Sequence, residues 1–324
     1  MLGHGAVASA IGSLPHVDPA AATDLVLELL PDLPAAPQLP QRSPCEGMLA
    51  QVAFGVAGIH VDDDGELHID PASVDPSPTT GSREFDERCW GGLTTFLDAA
   101  TGRSAPIKVQ LAGPVTLALA LVHAGVTPSA ALPAAALIVE QRAGALRNRV
   151  AHHAPDAPVV AFLDEPGLTI FSRAETPFDP NDVVEVLSAA LASFGAQTVT
   201  GIHCCGPTDW RLVAATGPDV ISAPLGIGLE DEGAVLSPFL EDGGLVAWGA
   251  VPTDRPVGDD TGWLCRQLVA TWRALRAEGC DPELLRTRAL ITPACGMAGH
   301  GVSQAERVLR LTSGITERIH ELAA

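Results

Sequence analysis

Lysine is almost absent. Lys108 is the one lysine among 324 residues, and every other fixed cation is arginine. Against 19 lysines and arginines stand 39 aspartates and glutamates, a formal charge of −20. No segment forms a basic patch, so nucleic acid and anionic membrane are poor partners. No apolar run reaches the ~18 residues that a bilayer span needs. The opening "MLGHGAVASAIGSLPH" lacks the basic start of a signal peptide, and the expected location is cytoplasmic. There is no internal repeat. The segments "GVAGIH" and "GIGLEDEG" lack the spacing and context of a dinucleotide-binding loop. Seven cysteines, at 45, 89, 204, 205, 265, 280 and 295, are an odd number without an export signal. They are expected to be mostly small buried hydrophobes rather than a disulfide framework.

What is present is apolar and well punctuated. Hydrophobic residues make up 47%, with 27 prolines and 32 glycines, enough for a large core bounded by many turns. Short apolar runs alternate with helical patterns. Strands are expected at "AVASAIGS" (6–13), "PAAPQLP" (34–40), "IKVQLAG" (107–113), "PVVAFLDEP" (158–166), "QTVTGIHC" (197–204), "DVISAP" (219–224), "GLVAWGA" (244–250) and "RALITPACG" (288–296). Asp18-Pro19 and Asp179-Pro180 read as an N-cap followed by proline at the first helical position. Further helices are expected over 46–57, 129–153 and 303–322, and one ending near Leu275. "GIHVDDDGELHID" (58–70) alternates on both sides of Asp-Asp-Gly, a hairpin signal. Residues 71–84 read as a loop. Continuous apolar strands between helices imply a parallel sheet covered on both faces. The fold expected is a (β/α)₈ barrel, one domain over 1–324 with a hairpin insertion near 58–70. A doubly wound sheet is the alternative.

The unusual polar residues fall at strand C-termini. Ser13 ends the first strand, Asp164 and Glu165 end another, His203 and Cys205 the next, and Cys295 the last. In a barrel these positions open on one face, the face where chemistry occurs. Residues i and i+2 on a strand point the same way, so His203 and Cys205 can converge while Cys204 turns away. One imidazole and two thiolates suit zinc and leave a coordination position open. The alternative is three unlinked residues, with His203 simply hydrogen-bonded.

These motifs together resemble the catalytic domain of cobalamin-independent methionine synthase, in the short form without the N-terminal domain. The likeness runs through nearly the whole chain: "AIGSLPH", "LAGPVT", "LDEPGL", "IHCCG" and "TPACGM" stand in the family's order. It implies a homocysteine methyltransferase with His203, Cys205 and Cys295 as zinc ligands. Ser13, with the backbone of Ile11 and Gly12, would hold the substrate carboxylate, and Asp164 its amino group. Glu46 in "SPCEGM" would be a second amino-group partner. Homocysteine sulfur would bind zinc, lose its proton and attack an activated methyl group.

Departures from the pattern are informative. Pro224 stands where the family has a fourth zinc ligand, a glutamate; Glu230 and His300 lie near in sequence. Ala120 replaces the tryptophan that stacks on folate. The family's catalytic histidine falls at Thr253-Asp254, which makes Asp254 the candidate beside Asp164 for a catalytic role. The methyl donor is thus open between methyl-tetrahydrofolate and a corrinoid or other carrier. Two alternatives remain: a catalytically silent paralogue that binds an amino acid or thiol, and a uroporphyrinogen-decarboxylase-like barrel enzyme. The first strand offers no arginine for the carboxylates of the latter's substrate.

Overall fold

The computed structural model describes residues 5–77, 85–172 and 176–321. Seven parallel strands form one curled sheet: β1 (Val7–Ala8), β4 (Ile107–Ala112), β5 (Val159–Asp164), β6 (Val199–His203), β7 (Val220–Pro224), β8 (Leu245–Val251) and β9 (Ala289–Pro293). Their order is β1-β9-β8-β7-β6-β5-β4. The open side is bridged by the segment around residues 34–38. Ala35 pairs with Lys108 on β4 and Gln38 pairs with Ser13, both in parallel. Backbone bonds Ala36 N to Lys108 O (2.8 Å) and Gln38 N to Gly12 O (3.1 Å) complete the closure. The proline-bounded segment read as a strand is therefore the eighth stave of a TIM-barrel-like fold. Prolines at 34 and 37 keep it short, since neither can donate to a ladder.

Helices cover the outside: α1 (Pro19–Leu29), α2 (Met48–Ala53), α3 (Glu87–Ala99), α4 (Pro114–His123), α5 (Pro128–His153), α6 (Pro180–Ala192), α7 (Trp210–Ala215), α8 (Gly233–Glu241), α9 (Thr261–Ala277), α10 (Pro282–Thr287) and α11 (Val302–Glu321). Asp-Pro opens three of them. Asp18, Asp179 and Asp281 each accept a backbone N–H two residues on, at 2.9, 2.8 and 2.7 Å. Such caps contribute roughly 1 kcal/mol each. The hairpin insertion is β2 (Ile59–Val61) against β3 (Leu67–Ile69), antiparallel, with His60 opposite His68.

Alternation along the strands divides the core in two. Leu33, Val160, Phe162, Val220, Ala247 and Leu290 pack together as the barrel's own interior. Their strand neighbours, such as Leu163, Ile221, Trp248 and Ile291, join the larger cluster between sheet and helices. Lys108, two residues before Gln110 on β4, shares the interior register, and its ammonium lies 4.5 Å from the centroid of the Phe162 ring.

The structure corrects two expectations and adds one helix. The helix expected over 46–57 is interrupted: a 3₁₀ turn covers Pro44–Glu46, and α2 stops at Ala53 before Gly55, whose φ of 79° turns the chain. Cys45 and Cys89 are not separate buried hydrophobes. They form a disulfide across 44 residues, tying that 3₁₀ turn to α3. The other cysteines are free thiols. Helix α3 was itself not foreseen. Of the loop expected over 71–84, residues 78–84 lie outside the described residues, as does the last residue of the helix expected over 303–322.

Candidate active site at the barrel mouth

Two motifs of the sequence meet at the C-terminal end of β4 and β5. Gly113 and Pro114 begin α4, and Glu165 follows β5. The buried Glu165 carboxylate accepts from Val115 N and Thr116 N at 2.8 Å each and from Thr116 Oγ1 at 2.5 Å. An anion on helix N–H groups is well placed against the macrodipole. Gly113 makes this possible: a Cβ there would sit 2.1 Å from Glu165 Oε1. Burial still pushes the Glu165 carboxyl up to about 7. Glu165 therefore fixes the β5–α4 corner that presents its neighbour Asp164.

Asp164 and Lys108 are buried ionisable groups that feel each other's charge inside the barrel. Asp164 pairs in register with Ala112 on β4 and His203 on β6. Its Oδ1 is buried and has no hydrogen-bond partner. Lys108 is fully buried; Nζ donates to Ile11 O at 2.7 Å and to Gln110 Oε1 at 3.2 Å. Burial pushes Asp164 up to about 7, with Lys108 acting against that rise, and pushes Lys108 down to about 8. The one lysine of the chain thus ties β4 to the Ile11 carbonyl and supplies a positive charge that acts on Asp164.

His203, Cys205 and Cys295 come together. His203 lies inside the mouth, with Nδ1 3.0 Å from Ser222 Oγ on β7. Its Nε2 is buried and lacks a hydrogen-bond partner of nitrogen or oxygen. The Cys295 thiol meets both the His203 ring and the Cys205 thiol. Their shared hydrogen bond pushes Cys295 up to about 12 and holds Cys205 below the usual thiol range. Cys204 turns the other way, and burial pushes it up to about 11. Ser13 abuts the same turn: Met297 N donates to Ser13 O at 2.8 Å. A Cβ on Gly296 would stand 1.9 Å from Ser13 Oγ.

No group of three or more His, Cys, Asp or Glu among the described residues forms a ready-made metal cluster. One imidazole and two thiols are nonetheless donor types that zinc takes. An imidazole held through Nδ1 by Ser222 turns its other nitrogen to the Cys295 thiol side, the arrangement in which an outer hydrogen bond fixes a ligand's tautomer. Pro224, at the end of β7, lines the adjoining cavity and contributes no donor side chain.

Other expected site residues are placed differently. Glu46 is fully buried, and its carboxylate accepts from Leu39 N (2.9 Å), Gly92 N (3.2 Å) and Arg42 Nη1 (2.5 Å). It knits the disulfide-tied turn to α3 and to residue 39. Asp254 is exposed, beside Arg255 at 3.4 Å. Asp254 and Glu230 line a cavity of about 540 Å³ that also reaches Cys205 and Cys295. His300 has a buried Nε2 without a partner. Sequence reading passed over Lys108 and Ser222. A lone lysine inside an apolar strand, and a serine in the middle of "DVISAP", were the available signals.

The solved structures it resembles accord with this architecture. A B12-independent methionine synthase from Shewanella sp. W3-18-1, in complex with selenomethionine, superposes with a TM-score of 0.63 at 16% identity, over 99% of this chain and 100% of that one. The fold is that of the B12-independent methionine synthases. A putative vitamin-B12 independent methionine synthase from Listeria monocytogenes gives 0.55 at 15% identity, over 93% and 85%. No protein-family profile and no curated protein matches the sequence. Among the described residues no helix is long and apolar enough to cross a membrane.

Proposed function

We propose that the chain is a zinc-dependent thiol methyltransferase that forms methionine from homocysteine. The observation that carries this reading is the meeting of the Cys295 thiol with both the His203 ring and the Cys205 thiol, beside Ser13. His203, Cys205 and Cys295 would hold the metal. The chemistry that zinc supplies there is Lewis acidity, which keeps a sulfur deprotonated at neutral pH. Ser13 Oγ and the backbone of Ile11 and Gly12 take the amino-acid carboxylate. Asp164, with its unpartnered Oδ1, takes the ammonium. Lys108 holds the Ile11 carbonyl and works against the rise that burial imposes on Asp164. Anchoring both ends of the amino acid fixes the thiol against the donor, the proximity that makes methyl transfer effectively unimolecular. The solved neighbour's selenomethionine complex supports an amino-acid ligand of this class.

The experiment is calorimetric titration of zinc-loaded protein with homocysteine, beside Ser13→Ala and Cys205→Ser. Binding of homocysteine but not homoserine, weakened by Ser13→Ala and abolished with the zinc by Cys205→Ser, is expected. Equal binding of homoserine would sink the reading. A binding-only role is the second reading, favoured by Pro224 at β7 and by the exposed Asp254. It predicts homocysteine affinity with no methionine formed from any donor.

A further inference from the structure

We infer that the cavity beside Cys205 and Cys295 takes a small cationic methyl donor, a sulfonium or quaternary ammonium compound. This rests on the thiol-methyltransferase reading, and deepens it by naming the second substrate's class.

The cavity lies between the ends of β7, β8 and β9 and helix α9. At about 540 Å³ it falls within the size range of small-molecule sites. Cys205 and Cys295 are among its lining residues, which would bring a donor seated there to the sulfur that is to be methylated. Trp263, Leu264, Gln267 and Thr271 line it from α9 at helical spacing. Trp263 is 44% exposed, the one half-open aromatic among the exposed large hydrophobics. Proteins hold methylated cations on aromatic faces, and an indole among the lining residues offers one.

Charge points the same way. Glu230 and Asp254 both line the cavity, and the one cation of the lining, Arg255, sits 3.4 Å from Asp254. Glu230 makes no ion pair among the described residues; its Oε2 accepts from Gly228 N at 3.2 Å. No lysine is available, because Lys108 is buried in the barrel. An anionic donor would meet an unneutralised carboxylate inside a molecule of charge −20. A cation is drawn in by the same field.

The step balances without a further reactant. The homocysteine thiol gives its proton to solvent. The thiolate electron pair forms the new S–CH₃ bond. The C–S⁺ or C–N⁺ bond breaks, and its pair stays on the leaving atom, which departs as a neutral sulfide or amine. Loss of positive charge on the donor weakens its hold on Trp263 and Glu230, which favours release.

The probes are choline, trimethylsulfonium, and 3,3-dimethyl-1-butanol, the uncharged isostere of choline, titrated against zinc-loaded protein and read by calorimetry and tryptophan fluorescence. Homocysteine binding is measured in the same preparation. Expected is at least tenfold tighter binding of the cations than of the isostere, weakening as salt rises. Trp263→Leu and, separately, Glu230→Gln should each reduce cation binding severalfold with homocysteine binding unchanged. Trimethylsulfonium turnover with choline inert would assign the donor to sulfonium, and the reverse to ammonium. If homocysteine binds but choline and trimethylsulfonium bind no better than the isostere, the donor inference is overturned and the thiol reading stands. If homocysteine itself fails to bind, the thiol reading falls first.

Discussion

Replacing Lys108 with methionine should make stability newly sensitive to pH. Lys108 is the cation whose charge acts on Asp164, and both are buried. In the wild type Asp164 gives up its proton near pH 7, although an unfolded aspartate does so near 3.8, and Lys108 gives up its own near 8 instead of 10.5. Across pH 7 to 8 the folded wild type therefore holds on average about one proton on this pair, mostly on Lys108. The unfolded chain holds the same one, and the pair contributes no slope. In Lys108→Met, burial alone acts on Asp164 and its proton stays on, while the unfolded aspartate has none. The folded variant then binds one proton more than the unfolded chain, so its stability falls as pH rises, by about 1.4 kcal/mol per pH unit. Above pH 8 the wild type gains as Lys108 neutralises, and the gap widens further. Near pH 5.5 both forms carry a neutral Asp164. The variant has by then lost two hydrogen bonds but also a buried charge, and the two proteins should nearly coincide. Urea unfolding at pH 5.5, 7 and 8 reads this directly. A gap that stays constant across that range would refute the assignment of Lys108 as the counter-charge of Asp164.

Other perturbations probe the frame. Gly113→Ala should push the Glu165 carboxylate off the start of α4; losing two charge-assisted hydrogen bonds costs roughly 3–5 kcal/mol, visible as a lowered urea midpoint. Cys45→Ser should destabilise by about 4 kcal/mol from the entropy of the released loop, and reduction of the wild type by dithiothreitol should match it. Ser222→Ala should leave the fold intact and weaken zinc affinity about 10- to 100-fold by freeing the His203 ring, as read by competition with a chelating dye.

The barrel was legible because its strands are continuous apolar runs and its helices carry Asp-Pro starts. The segment 34–38 was recognisable as a strand from its bounding prolines, although it joins the sheet by isolated bridges alone. The convergence of Ser13, Asp164, His203 and Cys295 followed from their common place at strand C-termini. The Cys45–Cys89 bond was not legible, since a pairing across 44 residues leaves no local pattern. Glu46 was read as facing substrate, whereas its contacts with Leu39, Gly92 and Arg42 depend on how α3 packs against the 3₁₀ turn. Lys108 was noticed as the only lysine but not as a barrel-interior charge, because its partner Asp164 lies on a different strand.

The central claim is that His203, Cys205 and Cys295 hold a zinc ion that homocysteine reaches through its sulfur. X-ray absorption at the zinc edge, on protein loaded with one equivalent of zinc, tests it most directly. The account predicts two sulfur ligands and one imidazole, rising to three sulfurs when homocysteine is added, and loss of one sulfur in Cys205→Ser. Zinc that does not bind, or a sulfur count unmoved by homocysteine, would contradict it.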